Sequence, residues 1–219
     1  TILSKENLIK EGICLDKIFV VGNTVVDSLM YMTHNTSFSS ELWLNSQLLK
    51  VDTFNESVLI TCHRRENQGE NLVCIIRAIR RLAEFNEDII FVWALHPNPN
   101  VRDQISNSEL RLLNNVLLVE PLEYIDVLKL LNKSSCAISD SGGIQEEAPS
   151  FKTPVLVMRE TTERPEGVNA GVSFLVGADE SKIINQFNKI IKNRLSFGVN
   201  PYGDGRASEY IVDILTKKS

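Results

Sequence analysis

Cys136-Ala137-Ile138-Ser139-Asp140-Ser141-Gly142-Gly143-Ile144-Gln145-Glu146-Glu147-Ala148 runs from a short apolar stretch, through a polar turn with paired glycines, into a helix start. The apolar stretch at 136–139 has the length and composition of a strand buried on both faces. Ser141 is a suitable N-cap, and Gly142 and Gly143 let the backbone approach a ligand whose oxygens accept the unpaired amides of the first helical turn. The helix dipole adds to this, so the segment reads as an anion site. Glu147 lies a turn further in, where a carboxylate can accept two hydrogen bonds from a ribose diol. The plain alternative is a capped helix with a glycine turn and ordinary surface glutamates.

Similar apolar runs rich in Val, Ile and Leu recur at 18–21, 58–61, 89–95, 116–119, 155–158 and 174–176. Between them lie stretches of helical period, such as Leu72, Ile75, Ile76, Ile79 and Leu82, and later Ile183, Ile184, Phe187, Ile190 and Ile191. Alternation of strand and helix predicts right-handed crossovers and an α/β fold: a doubly wound, Rossmann-like parallel sheet with helices on both faces. The pattern weakens beyond residue 30, where a connector with a short helix at 41–49 is expected. Residues 200–205, Asn-Pro-Tyr-Gly-Asp-Gly, form a loop by their turn chemistry, and 207–215 a terminal helix.

The chain has 219 residues, enough for one domain with a sizeable core plus appendages. With 28 acidic against 23 basic residues and no block of like charge, it lacks the basic footprint of a nucleic-acid binder. No apolar run approaches the roughly 20 residues of a membrane span, and 1–10 lacks the features of a signal peptide, so a cytoplasmic protein that handles a small molecule is expected. Cys14, Cys62, Cys74 and Cys136 form no C-x-x-C pair and mostly lie in apolar segments, which argues for buried free thiols over zinc or disulfides.

In an open parallel sheet, ligands bind beyond the carboxyl ends of the strands. After the run at 58–61 come Cys62-His63-Arg64-Arg65-Glu66-Asn67-Gln68-Gly69-Glu70, where one His and two Arg could meet a phosphate. A solvated turn in which Arg64 or Arg65 pairs with Glu66 or Glu70 is the competing reading. His96 also follows a strand, in His96-Pro97-Asn98-Pro99, and its simpler role is to hydrogen-bond that turn. After 155–158 a second charged loop, 159–167, faces the same crevice, and its Arg164 before a proline-started helix is placed to clamp a diphosphate.

Four segments in register, HRREN at 63–67, SDSGGIQEEAPS at 139–150, TTERPEG at 161–167 and NPYGDG at 200–205, resemble the motifs of bacterial non-hydrolysing UDP-N-acetylglucosamine 2-epimerases. VGNTVVDSL at 21–29 resembles the segment where such enzymes cross from their first domain into their second. The resemblance implies a GT-B-type architecture of two Rossmann-like domains, of which this chain matches the C-terminal, UDP-binding half. Residues 1–30 would then lead out of the first domain, 31–56 form a connector, 57–199 the UDP-binding domain, and 200–219 a loop and crossover helix.

The same resemblance implies interconversion of UDP-N-acetylglucosamine and UDP-N-acetylmannosamine by elimination and re-addition of UDP, with inversion at carbon 2. By that likeness Ser141, Gly142 and Gly143 hold the diphosphate, Glu147 the ribose and Arg164 the phosphates again, with His63 as the catalytic residue beside the diphosphate. The uracil would lie along 121–127, touching Leu122 and Val127, where the family commonly has an aromatic residue in place of Val127. Arg64 and His96 would belong to a second, regulatory UDP-sugar site. The resemblance implies no cofactor and no metal. It implies as partners a UDP-sugar, an N-terminal domain that this chain does not match, and a homodimer of the full-length form, with no nucleic acid and no membrane. Most proton-transfer groups would sit on that N-terminal domain, leaving the chain inactive alone. A UDP-sugar-binding module, a GT-B glycosyltransferase fragment and a hydrolysing epimerase remain as competing readings.

Overall fold

Six strands, β1 (Glu56–Thr61), β2 (Ile89–Ala94), β3 (Val116–Val119), β4 (Ser134–Ser139), β5 (Val155–Val157) and β6 (Ser173–Leu175), form one parallel sheet in the order β3-β2-β1-β4-β5-β6. They belong to a computed structural model that describes residues 1–34, 38, 43–193 and 197–217. The helices with described bounds are α1 (Ile2–Lys10), α2 (Thr24–Thr33), α3 (Glu70–Phe85), α4 (Pro99–Ser106), α5 (Tyr124–Lys133), α6 (Gly142–Glu147), α7 (Pro165–Asn169), α8 (Glu180–Asn193) and α9 (Ala207–Lys217). This is the Rossmann-like doubly wound order, whose direction reverses between β1 and β4.

Strand side chains alternate between two cores, as a period of two requires. Val58, Ile60, Phe91, Trp93, Cys136, Ile138 and Leu156 face α3 and α8, whose Leu72, Ile75, Ile79, Ile183, Phe187 and Ile190 complete one layer. Leu59, Ile90, Val92, Ala137, Val155 and Val157 face the other way, onto Leu130 and Leu131 of α5 and onto Leu48 and Val51. The two faces explain why the strands read as unbroken apolar runs.

Two expectations need correction. Residues 18–21 are not a strand: a strand needs a ladder partner, and this stretch joins no edge of the sheet, with Phe19 45% and Val20 44% exposed. The helix expected at 41–49 lies partly outside the described residues, and its described end belongs to a 3₁₀ segment, Ser46–Thr53. The start of that segment is set by Asn45, whose side chain accepts from the Gln47 amide at 3.0 Å, while buried Asp126 of α5 accepts from the amides of Leu44 and Asn45 at 3.0 and 2.8 Å. Of the cysteines, Cys62 and Cys136 are buried and Cys74 partly so, but Cys14 is exposed.

The segments at 21–29 and 200–208 are clasped together. The Asn23 amide donates to the Tyr202 carbonyl at 2.7 Å. Asp27 of α2 accepts from the first amides of α9, Ala207 at 3.1 Å and Ser208 at 2.7 Å, and so caps a helix 180 residues away. Gly22 and Gly203 cross at this point with φ of +91° and +126°, and a Cβ on Gly203 would stand 3.2 Å from the Gly22 α-carbon. Neither position has room or conformation for a side chain.

Candidate functional site

At the carboxyl edge of the sheet, where the strand order reverses, β1 and β4 end side by side, with Thr61 and Ser139 joined through their hydroxyls at 2.6 Å. The residues just past the two strand ends meet. Asp140, fully buried, accepts from the His63 amide at 3.0 and 3.1 Å, the Arg64 amide at 2.9 Å and the Asn67 side-chain amide at 2.9 Å. The His63 ring completes the set, with Nδ1 2.8 Å from Asp140 Oδ1. Burial on its own would raise the Asp140 pKa, but the bonds from His63, Arg64 and Asn67 together hold it below the ordinary carboxylate value. Asp140 therefore stays ionised, fixes the His63 ring and leaves Nε2 as its other polar atom.

Beyond Asp140 the chain turns into α6. Ser141 has the extended backbone of an N-cap, φ −79° and ψ 131°, but its side chain makes no capping bond, so its hydroxyl is not tied to the helix. Glycines at 142 and 143 keep this shelf low. A Cβ on Gly142 would touch the Arg164 guanidinium at 3.5 Å; one on Gly143 would stand 3.7 Å from Ser141 Oγ and 3.9 Å from Glu147 Oε1. Arg164, at the head of α7, is held over the shelf by Glu146, with Nε 2.7 Å from Oε1. Thr162 ties its loop to α6, donating to Gln145 at 2.6 Å and accepting from the Arg164 amide at 3.1 Å.

Glu147 is approached from α5, where the Tyr124 hydroxyl donates to Oε1 at 3.0 Å. Burial raises the Glu147 pKa, opposed by that hydrogen bond, and the neighbouring Glu146 charge raises it further. Two clusters thus adjoin along the edge: His63 with Asp140 and Arg64, and Ser141, Gly142 and Gly143 with Glu147 and Arg164. Together they offer backbone amides, the guanidiniums of Arg64 and Arg164, one oriented imidazole and, Asp140 being buried, the Glu147 carboxylate, a set suited to an anion bonded to a polyol.

Other candidates lie at differing distances from this shelf. His96 stacks on His63 with ring centroids 6.0 Å apart, and its Nδ1 accepts from the Asn98 amide at 3.1 Å, so it does bond its own turn. Arg64 pairs with neither Glu66 nor Glu70; its Nε donates to the Asp140 carbonyl at 3.3 Å and it lies 3.6 Å from Glu163. Arg159, 8% exposed, pairs with Glu66 and with Glu163, the latter shared with Arg64, which leaves Arg164 as the arginine of that loop over the shelf. Leu122 and Val127 are half-buried and pack against the second core face. A separate cavity of about 530 Å³ is walled by Glu66, Asn67, Arg159, Glu160, Asp179 and Glu180; with four carboxylates against one arginine it is ill suited to a phosphate.

Three residues escaped the sequence reading in their roles. Asp140 carried a signal, because in the 3-2-1-4-5-6 order the residues after the first and fourth strands share the switch point. Tyr124 and Glu146 carried none, since each acts through a partner on another segment or on its own helix face. Among the described residues no cluster of three or more His, Cys, Asp or Glu is arranged to hold a metal, and no helix is long and apolar enough to cross a membrane.

Comparison with known proteins gives concordant results. The family model described as UDP-N-acetylglucosamine 2-epimerase matches residues 1–216. The UDP-N-acetylglucosamine 2-epimerase of Campylobacter jejuni is 45% identical over 227 residues, covering 99% of this chain and 59% of its own. A crystal structure of the UDP-GlcNAc 2-epimerase from Neisseria meningitidis bound to UDP-GlcNAc aligns with a TM-score of 0.86 at 43% identity, over 98% of this chain and 59% of that one. The epimerase from Methanocaldococcus jannaschii, solved with UDP-GlcNAc and UDP, aligns with a TM-score of 0.83 at 32% identity, over 99% of this chain and 59% of that one. These neighbours have the GT-B-like fold, and the chain spans 59% of the length of the first of the curated relatives it matches.

Proposed function

Since this chain belongs to the UDP-N-acetylglucosamine 2-epimerase family, we propose that it supplies the UDP-binding half of an enzyme that interconverts UDP-N-acetylglucosamine and UDP-N-acetylmannosamine. The observation that carries this reading is the shelf at 141–143, with the Arg164 guanidinium over Gly142 and Glu147 beside Gly143. First-turn amides have no partner within a helix and turn to ligand oxygens instead, here those of the diphosphate. Arg164 adds a planar fork of donors, and Glu147 accepts from the ribose hydroxyls.

The proposed reaction breaks the bond between carbon 1 and the diphosphate oxygen while a base removes the proton from carbon 2. UDP and 2-acetamidoglucal result. Re-addition of UDP, with a proton returned to the opposite face, inverts carbon 2. Charge grows on the departing diphosphate, so donors already in place at 141–143 and on Arg164 stabilise that step without reorganisation, and His63 adds a donor at Nε2 in its imidazolium form. His63 is held ready by Asp140 at 2.8 Å. The base near carbon 2 is assigned to the part of the relatives' longer chains that this one does not match. Arg64 and His96, beside His63, fit a regulatory UDP-sugar subsite, and Leu122 and Val127 the uracil side.

Calorimetric titration tests the assignment. The chain is expected to bind UDP, and Glu147→Ala to weaken UDP while leaving inorganic diphosphate unchanged, because only UDP carries the diol. Equal losses for both ligands would remove Glu147 from the ribose. Proton exchange at carbon 2 in deuterated water, followed by NMR, is expected to be absent with this chain alone, and robust exchange would place the base on it.

A further inference from the structure

Tyr124 opens α5, and its side chain leaves that helix to reach the end of α6, where it meets Glu147 Oε1 at 3.0 Å. At 40% exposure the ring stands on the rim rather than in the core. The same Oε1 is the carboxylate atom nearest to Gly143, beside Ser141 Oγ, so the tyrosine hydroxyl, the carboxylate and the serine hydroxyl border one shelf.

A glutamate side chain has many rotamers, and fixing them costs entropy at the moment a ligand binds unless something has fixed them beforehand. One hydrogen bond across two helices does so here. An ionised carboxylate has about four lone-pair sites, and Tyr124 occupies one of them, which leaves enough for two ligand hydroxyls. Burial pushes the Tyr124 hydroxyl pKa up, and the Glu147 charge pushes it further, so the group remains a proton donor throughout the neutral range.

We propose that Tyr124 is a positioning residue for the ribose: its hydroxyl holds Glu147 in the rotamer that accepts the 2′- and 3′-hydroxyls of a uridine nucleotide. The inference rests on the reading of Glu147 as the ribose acceptor. It makes Tyr124 a determinant of selectivity for a diol, acting through Glu147 and touching no reacting atom. The dependence is directional, since loss of the hydroxyl frees the carboxylate but leaves its charge and burial in place.

The test is titration of the 219-residue chain, wild type and Tyr124→Phe, with UDP, with 2′,3′-dideoxyuridine diphosphate and with inorganic diphosphate, alongside thermal melts. Tyr124→Phe is expected to weaken UDP about 3- to 10-fold, the usual range for one hydrogen bond, and to leave the other two ligands and the melting temperature unchanged. In a Glu147→Ala background the same substitution is expected to have no further effect. Equal weakening of UDP and its dideoxy analogue would make Tyr124 a base or scaffold contact and overturn the proposal. Unchanged or tighter UDP binding would overturn it too, the latter by showing the tyrosine to be a competitor for Glu147. Wild-type chain that binds UDP and its dideoxy analogue equally would overturn the ribose reading of Glu147 itself, a failure separate from these.

Discussion

Asp140→Asn replaces the carboxylate that ties β1 to β4 at the site. In the wild type, Oδ2 receives the amides of His63 and Arg64 and the side chain of Asn67, while Oδ1 faces His63 Nδ1 at 2.8 Å. An asparagine that keeps its oxygen at the Oδ2 position retains the first three partners and puts an NH₂ group opposite Nδ1. Two donors would then face each other unless the imidazole proton moves to Nε2, which costs little in a neutral ring. Hydrogen bonds to a charged group contribute about 1.5–3 kcal/mol against about 1 for neutral ones, so three weakened bonds lose about 3 kcal/mol, offset in part by the lower cost of burying a neutral amide. A net loss of about 1–2 kcal/mol is expected, or about 2–8 °C in melting temperature for a domain of this size. Asp140→Ala is expected to cost about 3–5 kcal/mol, because the buried donors are then left without any acceptor. Thermal melts give the first quantity, and ¹⁵N NMR of the imidazole nitrogens gives the second, with His63 moving from the Nδ1-protonated to the Nε2-protonated form. An asparagine variant that melts with the wild type and keeps its proton on Nδ1 would refute the assignment of Asp140 as the residue that orients His63.

Arg164→Lys is expected to cost about 1–3 kcal/mol of UDP binding by titration, since an ammonium cannot reproduce a planar fork on two phosphate oxygens; a change within error would move Arg164 off the ligand. Acid titration of stability should also report Asp140. Its folded pKa is depressed, so its contribution is complete above the unfolded value of about 3.9 and is lost as pH falls through the folded one. Denaturant melts between these limits are expected to show a shallower acid loss in Asp140→Asn than in the wild type, and parallel curves would count against the hydrogen-bonded carboxylate.

The sheet was legible because burial on both faces writes each strand as a compact apolar run, and because the helices between them keep a clean 3.6 period at Leu72, Ile75 and Ile79 and again at Ile183, Phe187 and Ile190. The same rule misread 18–21, where apolar residues serve a segment with no ladder, a distinction that depends on neighbours rather than on composition. Ser141, Gly142, Gly143 and Glu147 could be singled out because a glycine turn between strand and helix is a local pattern. What could not be read was pairing. Nothing in the sequence says that Arg159 is consumed by Glu66 and Glu163 while Arg164 is held by Glu146. Nor does it say that Asp140 reaches back 77 positions to His63. These choices are made by the strand order, which sets β1 against β4, and by which charged side chain the loop turns inward.

The clasp between 21–29 and 200–208 has a kinetic consequence. Its bonds join residues about 180 positions apart, yet loop-closure entropy grows only by about 0.6 kcal/mol per doubling of length, so the thermodynamic burden of so distant a contact is modest. The burden falls on the folding rate, which slows as native contacts become less local. The crossovers of the sheet are short by comparison, so it is expected to form first, with 21–29 and 200–208 docking on each other later. They also detach as one cooperative unit, because neither keeps its backbone partners without the other. Amide exchange at Asn23 should therefore keep pace with exchange at Ser208, and a cut that frees one of the two segments should expose the other.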